Sequence, residues 1–373
     1  MRLVQAVRVS VLLLLALCCA GCSGGGLLLG VGTVLQSPVA AYRAFVQCNA
    51  QSIPTQSEPV ATPTPAPLPE DEAIEAVDTA APTPTPAADP TALLGAIALI
   101  PDTGMPDGTG TVIEQYYPNG SGDTYLALEA GTLRNMTSVS TEEIETAIAA
   151  GLPFDIELNS TEPQVLIMHT HATETYRLYE GLYYDLDDSA RTTDTTLSVC
   201  AVGAIITQTL NDAGIYTLHD TTLNDYPSYN ASYGNSYEVV AAYLAQYPSI
   251  KVVIDVHRDA LEDSDHWYAP VSEINGTQSA QVMIIAGCDN GSDIILPNCM
   301  ENLAFAAAWQ AEMEGSYPGL TRSAMFNYKY YNQDLTTGSL LLEVGGHGNT
   351  LNEALYAGQL AALSLVQVLT GAG

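Results

Sequence analysis

The C-terminal part of this sequence predicts an α/β fold: a mostly parallel sheet with helices on both faces. Three observations predict it. First, short apolar runs of strand type recur at Val165–Met168, Ile215–Leu218, Lys251–Val256, Gln281–Ala286 and Ser339–Val344. Continuous apolar runs of that length suit strands buried on both sides. Second, segments of helical spacing separate them: Leu197–Asn211 ending at Gly214, Tyr237–Tyr247 stopped before Pro248, Met300–Met313 before Gly315 and Pro318, and Asn352–Val368. Third, the two kinds alternate along the chain, which is the pattern of crossover helices joining parallel strands.

Residues 163–373 carry this pattern and read as the catalytic domain. Residues 96–162 read as a small N-terminal lobe. They hold short alternating segments such as Thr124–Leu128, a turn signal at Asn119-Gly120, and one helix from Ser140 through Ala150. Ser140 with Glu143 three residues on is a capping box. Residues 37–95 are rich in Pro, Thr, Ala and acidic residues, as in Pro63-Thr64-Pro65-Ala66-Pro67. Such a segment has too little apolar surface to offset its ordering entropy and reads as an extended linker.

Residues 1–36 admit two readings. Arg2 and Arg8 followed by a long apolar run suit a membrane-spanning helix. Alternatively, Ala20-Gly21-Cys22 ends a signal peptide as a lipobox, with Cys22 lipidated. Both attach the chain to the cell membrane by its N-terminus and leave the later domains on the extracytoplasmic side.

Ten Lys and Arg stand against 42 Asp and Glu, a formal net charge of -32. So few cations build no patch able to neutralise a phosphate backbone, which excludes nucleic acid as a partner. The acidity itself reads as a solvated, self-repelling surface. Of the seven cysteines, Cys200, Cys288 and Cys299 lie in the main domain with no CxxC pair. They read either as buried thiols or as one Cys288–Cys299 bridge beside a free thiol.

In parallel sheets, functional groups gather beyond the carboxyl ends of the strands. Here Val165–Met168 leads into His169-Thr170-His171-Ala172-Thr173-Glu174, and Lys251–Val256 into His257-Arg258-Asp259. Ile215–Leu218 leads into His219, and Leu340–Leu342 into Glu343. All six histidines lie after residue 168. Two imidazoles and a carboxylate within six residues, with His257 from a second strand, are the ligand types zinc takes. A polar strand-end cluster bonded only to backbone is the plainer account. A zinc-activated water needs a base, and Glu343, partly desolvated at the end of an apolar strand, is expected to have a raised pKa. Glu343 as a mere loop cap is the alternative. Asp255 and Asp259 are candidates to orient His257 from behind. Arg191, Asp194 and Arg258 are candidates to anchor an anionic substrate, and Arg322 and Lys329 are scarce cations with the same option. His219, His266 and His347 read as surface or structural histidines.

Several stretches together resemble a known family. They are Gln164–Tyr176 (QVLIMHTHATETY), Ala190–Asp194 (ARTTD), His219–Asn230 (HDTTLNDYPSYN), Tyr247–Ala260 (YPSIKVVIDVHRDA) and Tyr331–Asn349 (YNQDLTTGSLLLEVGGHGN). In that order they resemble the stage II sporulation protein P family of endospore-forming Firmicutes. The resemblance implies a fold similar to the zinc cell-wall amidases (phosphorylase/hydrolase-like). It implies an N-acetylmuramoyl-L-alanine amidase acting on peptidoglycan, with an endopeptidase activity on cross-linked stem peptides as well. It further implies engulfment of the forespore as the setting, the intermembrane space as the place, and stage II sporulation proteins D and M as partners. By motif it makes His171, Glu174 and His257 the zinc ligands and Glu343 the base, and leaves His169 as a further ligand or a supporting residue. Two other functions stand beside it: a non-catalytic wall-binding or scaffold protein of the same fold, and a zinc peptidase of stem peptides.

Overall fold

The computed structural model describes residues 95–371. The N-terminal anchor or signal and the linker up to residue 94 lie outside the described residues. Among the described residues, no helix is long and apolar enough to cross a membrane.

Twelve strands and five α-helices are described. The chain opens with β1 (Thr109–Gln115), β2 (Tyr125–Ala127), β3 (Thr132–Asn135) and α1 (Thr141–Ala150). It continues with β4 (Val165–Met168), β5 (Tyr183–Asp185), α2 (Val199–Asp212), β6 (Thr217–His219) and α3 (Ser232–Gln246). Then come β7 (Val252–Asp259), β8 (His266–Ile274), β9 (Thr277–Ala280) and β10 (Val282–Gly287). The last elements are α4 (Cys299–Ser316), β11 (Ala324–Asn327), β12 (Gly338–Gly346) and α5 (Leu351–Thr370).

The main sheet has eight strands in the order β2-β3-β11-β10-β12-β7-β4-β6. Five of its strand pairs are parallel and two, β2–β3 and β10–β12, are antiparallel. The expected mostly parallel α/β sheet is therefore present. Alternation along each central strand splits its side chains between two faces. Val165, Ile167, Val252, Ile254, Val256, Leu340, Leu342 and Val344 enter the large core with residues of α2, α4 and α5. Leu166, Met168 and Val253 face the other way and meet Val240 of α3. Helices thus cover both faces, and each fully buried aliphatic side chain contributes roughly 1.5–3 kcal/mol.

Residues 96–162 distribute over both sheets of the molecule. β2 and β3 continue the edge of the main sheet next to β11, and α1 packs on α4. The Ser140–Glu143 capping box is formed, with Ser140 Oγ accepting from the Glu143 amide and the Glu143 carboxylate accepting from the Ser140 amide. β1 instead joins a second, four-stranded sheet in the order β5-β1-β8-β9. The sequence reading missed this sheet. Its longest strand, HWYAPVSEI, is a mix of polar and apolar residues broken by Pro270, so no single period stands out.

Candidate active site

Alternation positions the central residues. On β7, Asp255 and His257 share the face of Val253, away from the large core. On β12, Glu343 shares the face of Leu341. Parallel pairing of these neighbouring strands puts Glu343 directly opposite His257. The register then shifts between Glu343 and Gly346, where Gly345 takes φ +64°. This is a bulge at the strand end, of the kind that aims a side chain at a site.

β4 lies on the far side of β7, with Met168 opposite Asp255. After Met168 the chain leaves the sheet and turns, and the Glu174 amide donates to the His171 carbonyl at 3.0 Å. The turn brings His171 and Glu174 round to the His257 face. The His171 and His257 rings lie edge to face at 5.3 Å, and Glu174 Oε2 is 3.5 Å from His257 Nδ1. His257 is enclosed by a second carboxylate, with Asp255 Oδ1 2.8 Å from Nε2. That contact is a charge contact rather than an aligned hydrogen bond, and Nε2 is left without a hydrogen-bond partner. Asp255 is fixed by Thr170, whose amide and hydroxyl donate to its two oxygens at 2.8 and 2.6 Å.

The electrostatics follow from burial against these pairings. Burial opposes a charge on His257, but Asp255 and then Glu174 outweigh it and hold the imidazolium well above its ordinary range. Burial likewise opposes the charge on Glu174, yet the hydrogen bond from His257 and the charge of Arg258 bring it down to about 2. His171 is shifted down, by burial and then by the charge of His257. Glu343 moves the other way: burial, then the negative charge of Asp259, push it up to about 8. Its Oε2 is buried without a hydrogen-bond partner.

Other residues singled out in the sequence do not come together here. His169 keeps the parity of Val165 and Ile167 and packs against Gly203 of α2, on the opposite face of the sheet from His257. Its Nδ1 meets the Val256 carbonyl at 2.8 Å and its Nε2 meets His219 Nε2 at 2.9 Å. A carbonyl only accepts, so Nδ1 carries the proton and Nε2 accepts from His219. No lone pair of His169 remains for a metal. The expectation that residues two apart share a pocket fails because the chain leaves the sheet after Met168 and the period of two does not reach His171. Arg258 points away from His257 and spends its guanidinium on the carbonyls of Thr175 and Ala190, both at 2.9 Å, so it anchors the fold rather than a substrate. Asp194 is exposed and closes a local turn, accepting from the Thr196 amide and hydroxyl. Asp259 pairs with Arg322 Nη1 at 2.8 Å and does not touch His257. Arg191 does reach the site, where Nη1 holds Asp225 at 2.7 Å and Nη2 lies 3.6 Å from Glu174. His347 is buried against Trp267, and His266 pairs with exposed Asp263.

Two groups escaped the sequence reading. Asp225 is buried and ties Thr173 and Arg191 together, with Oδ2 3.9 Å from His171 Nδ1. It sits in a loop, where no period marks it. Tyr229 stacks on His171 at 4.6 Å, Tyr233 lies edge-on to His171 at 5.6 Å, and Tyr331 stacks on Tyr233 at 5.5 Å. The spacing Tyr226, Tyr229, Tyr233 was the available signal.

Among the described residues, no group of three or more His, Cys, Asp or Glu side chains is arranged so as to hold a metal ion. Asp255 and Glu174 close on the His257 ring from both sides instead. The chemistry of the donor set nevertheless fits zinc. Two imidazoles and a carboxylate lie together, and His171 Nδ1 is buried with no hydrogen bond to satisfy it.

Similar proteins are found both among curated sequences and among solved structures. Stage II sporulation protein P of Bacillus subtilis (strain 168) is 33% identical over 211 residues, covering 53% of this chain and 49% of that protein. The chain thus spans about half the length of the curated relative it matches. Among solved structures, the amidase Ami1 of Mycobacterium abscessus is 12% identical and covers 56% of this chain and 98% of its own, with a TM-score of 0.33. CwlD of Clostridioides difficile, solved in complex with the GerS lipoprotein, is 12% identical with coverages of 56% and 99% and a TM-score of 0.34. Scores of that size are too low to fix the arrangement of elements. The family model described as Stage II sporulation protein P (SpoIIP) matches residues 117–365, well over half of the chain, and this chain belongs to that family.

Proposed function

We propose that this protein is a peptidoglycan hydrolase of sporulation, an N-acetylmuramoyl-L-alanine amidase that uses zinc. The observation that carries the reading is the register pair His257–Glu343, with His171 and Glu174 turned onto the same face. Membership of the family supports the setting. His171, Glu174 and His257 would hold the ion. Zinc bound there supplies a Lewis acid that polarises a carbonyl and makes water nucleophilic near neutral pH.

The remaining work falls to the chain's own groups. Glu343 Oε2, buried and free of hydrogen-bond partners, takes the proton of the attacking water and hands it to the leaving amide nitrogen. Its raised pKa suits a group that must both hold and release a proton near neutral pH. Asp255, itself held by Thr170, orients the His257 ring. Arg191 and Asp225 brace the turn that carries His171 and Glu174. In this reading the N-terminus anchors the protein to the cell membrane, the head works outside it, and stage II sporulation proteins D and M are its partners.

The test is to incubate the protein with purified peptidoglycan and identify the products by mass spectrometry. Stem peptides beginning at L-alanine, released by the wild type and not by Glu343→Gln, are expected. Cleavage within the stem, with the muramyl amide intact, would make it a peptidase. No product from the wild type would favour a wall-binding or scaffold role.

A further inference from the structure

The surface beside the candidate centre is aromatic. Tyr229 has 54% and Tyr226 60% of its surface exposed, although both are large apolar rings. Tyr229 lies flat on His171, its ring at 11° to the imidazole, and the Arg191 guanidinium sits 4.8 Å from its centre. Tyr233 and Tyr331 extend the wall by stacking at 24° to each other, and the Tyr233 carbonyl and Ser236 hydroxyl hold Asn332 between them at 2.9 and 3.0 Å. Tyr233 and Tyr331 are half-buried, but an exposed ring such as Tyr229 does nothing for the core, and an aromatic cluster beside a site marks a binding surface.

The nearby cations are already committed. Arg191 is taken by Asp225 and Thr173, Arg258 by two carbonyls, and Arg322 by Asp259, while exposed Lys329 lies over the Tyr331 ring, 5.9 Å from its centre. With carboxylates in excess, attraction of an anion does not explain the wall. An uncharged ligand with flat C–H faces does: the negative face of an aromatic ring attracts the slightly positive C–H hydrogens of a pyranose. Resting on the peptidoglycan reading above, we infer that Tyr229, with Tyr233 and Tyr331, is a stacking platform for a sugar ring of the glycan strand. It seats the glycan against His171, with the side branch directed at Glu343.

Titration calorimetry of the full chain with uncharged β-1,4-linked N-acetylglucosamine oligomers as the glycan tests this, run beside stem-peptide release from intact peptidoglycan. Tyr229→Ala is expected to weaken glycan binding about tenfold and Tyr229→Phe to keep it within about twofold, since the ring rather than the hydroxyl is used. Because Tyr229 also touches His171, Tyr331→Ala serves as the second variant, and a similar loss is expected there. On peptidoglycan the loss appears in KM more than in kcat. A wild type that binds no glycan, or alanine variants that bind as tightly as it does, would overturn the platform. Glycan binding that depends on these rings, with no stem peptide released, would support the platform and sink the hydrolase reading. Release of stem peptides with binding blind to both tyrosines would do the reverse.

Discussion

His169 Nε2 accepts from His219 Nε2 at 2.9 Å, an arrangement that needs a neutral His169. Burial holds His219 down at about 4, and burial and then the charge of His219 hold His169 down at about 3. The unfolded chain protonates such rings near 6.5, whereas the folded chain does not. Below that pH the unfolded state therefore binds more protons, and stability falls as pH drops from about 6.5 toward 4. Replacing His219 by Gln should flatten that fall, measured as the denaturant midpoint against pH; an unchanged slope would mean that other groups set the acid limit. His169 shows what the sequence could not give. His257 and Glu343 were legible because they lie within regular strands, where parity decides the face. His169 and His171 flank the point where the strand ends, and nothing in HTHATE marks where the period of two stops. Arg258 and Asp194 misled for a related reason: scarce charged residues near a motif look functional until their partners are seen.

At the scale of elements, the end of β12 sets Glu343. The bulge needs Gly345 at φ +64°, where a Cβ would also meet Asn349 Oδ1 at 2.6 Å and Ala280 Cβ at 2.9 Å. Asn349 cannot give way easily, since its Oδ1 accepts from the Gly346 amide and its Nδ2 donates to Pro270 and Glu353. Gly345→Ala should cost on the order of 1–3 kcal/mol in denaturant unfolding and lower turnover as well. Wild-type stability in that variant would show that the bulge relaxes freely. The central strands and most helices were readable from apolar runs and their terminators, with ends shifted by a few residues. α3 starts at Ser232, five residues before the predicted Tyr237, because its first turn, SYGNS, is polar and carries no apolar stripe. The four-stranded sheet was not readable, since its strands pair across distant parts of the chain and each is too mixed to show a period.

Across the whole molecule, the sheet order brings together residues from four separate stretches: His171 and Glu174 after β4, His257 on β7, Glu343 on β12, and Arg191 between β5 and α2. Such a meeting point is chosen by topology, and a reading of strand ends finds it only because parallel strands align their carboxyl ends. The acidic balance of the chain gives it a self-repelling surface, and on the proposed reading substrate recognition falls to shape and to rings. The central claim is a division of labour: His171, Glu174 and His257 hold the metal, and Glu343 moves the proton. The most direct measurement is the zinc content of purified protein alongside its release of stem peptides, for the wild type, His257→Ala and Glu343→Gln. The account predicts about one zinc per chain in the wild type and in Glu343→Gln, with turnover in the latter lower by roughly 10²–10⁴-fold, and loss of both zinc and turnover in His257→Ala. Full turnover by Glu343→Gln, or zinc retained undiminished by His257→Ala, would contradict it.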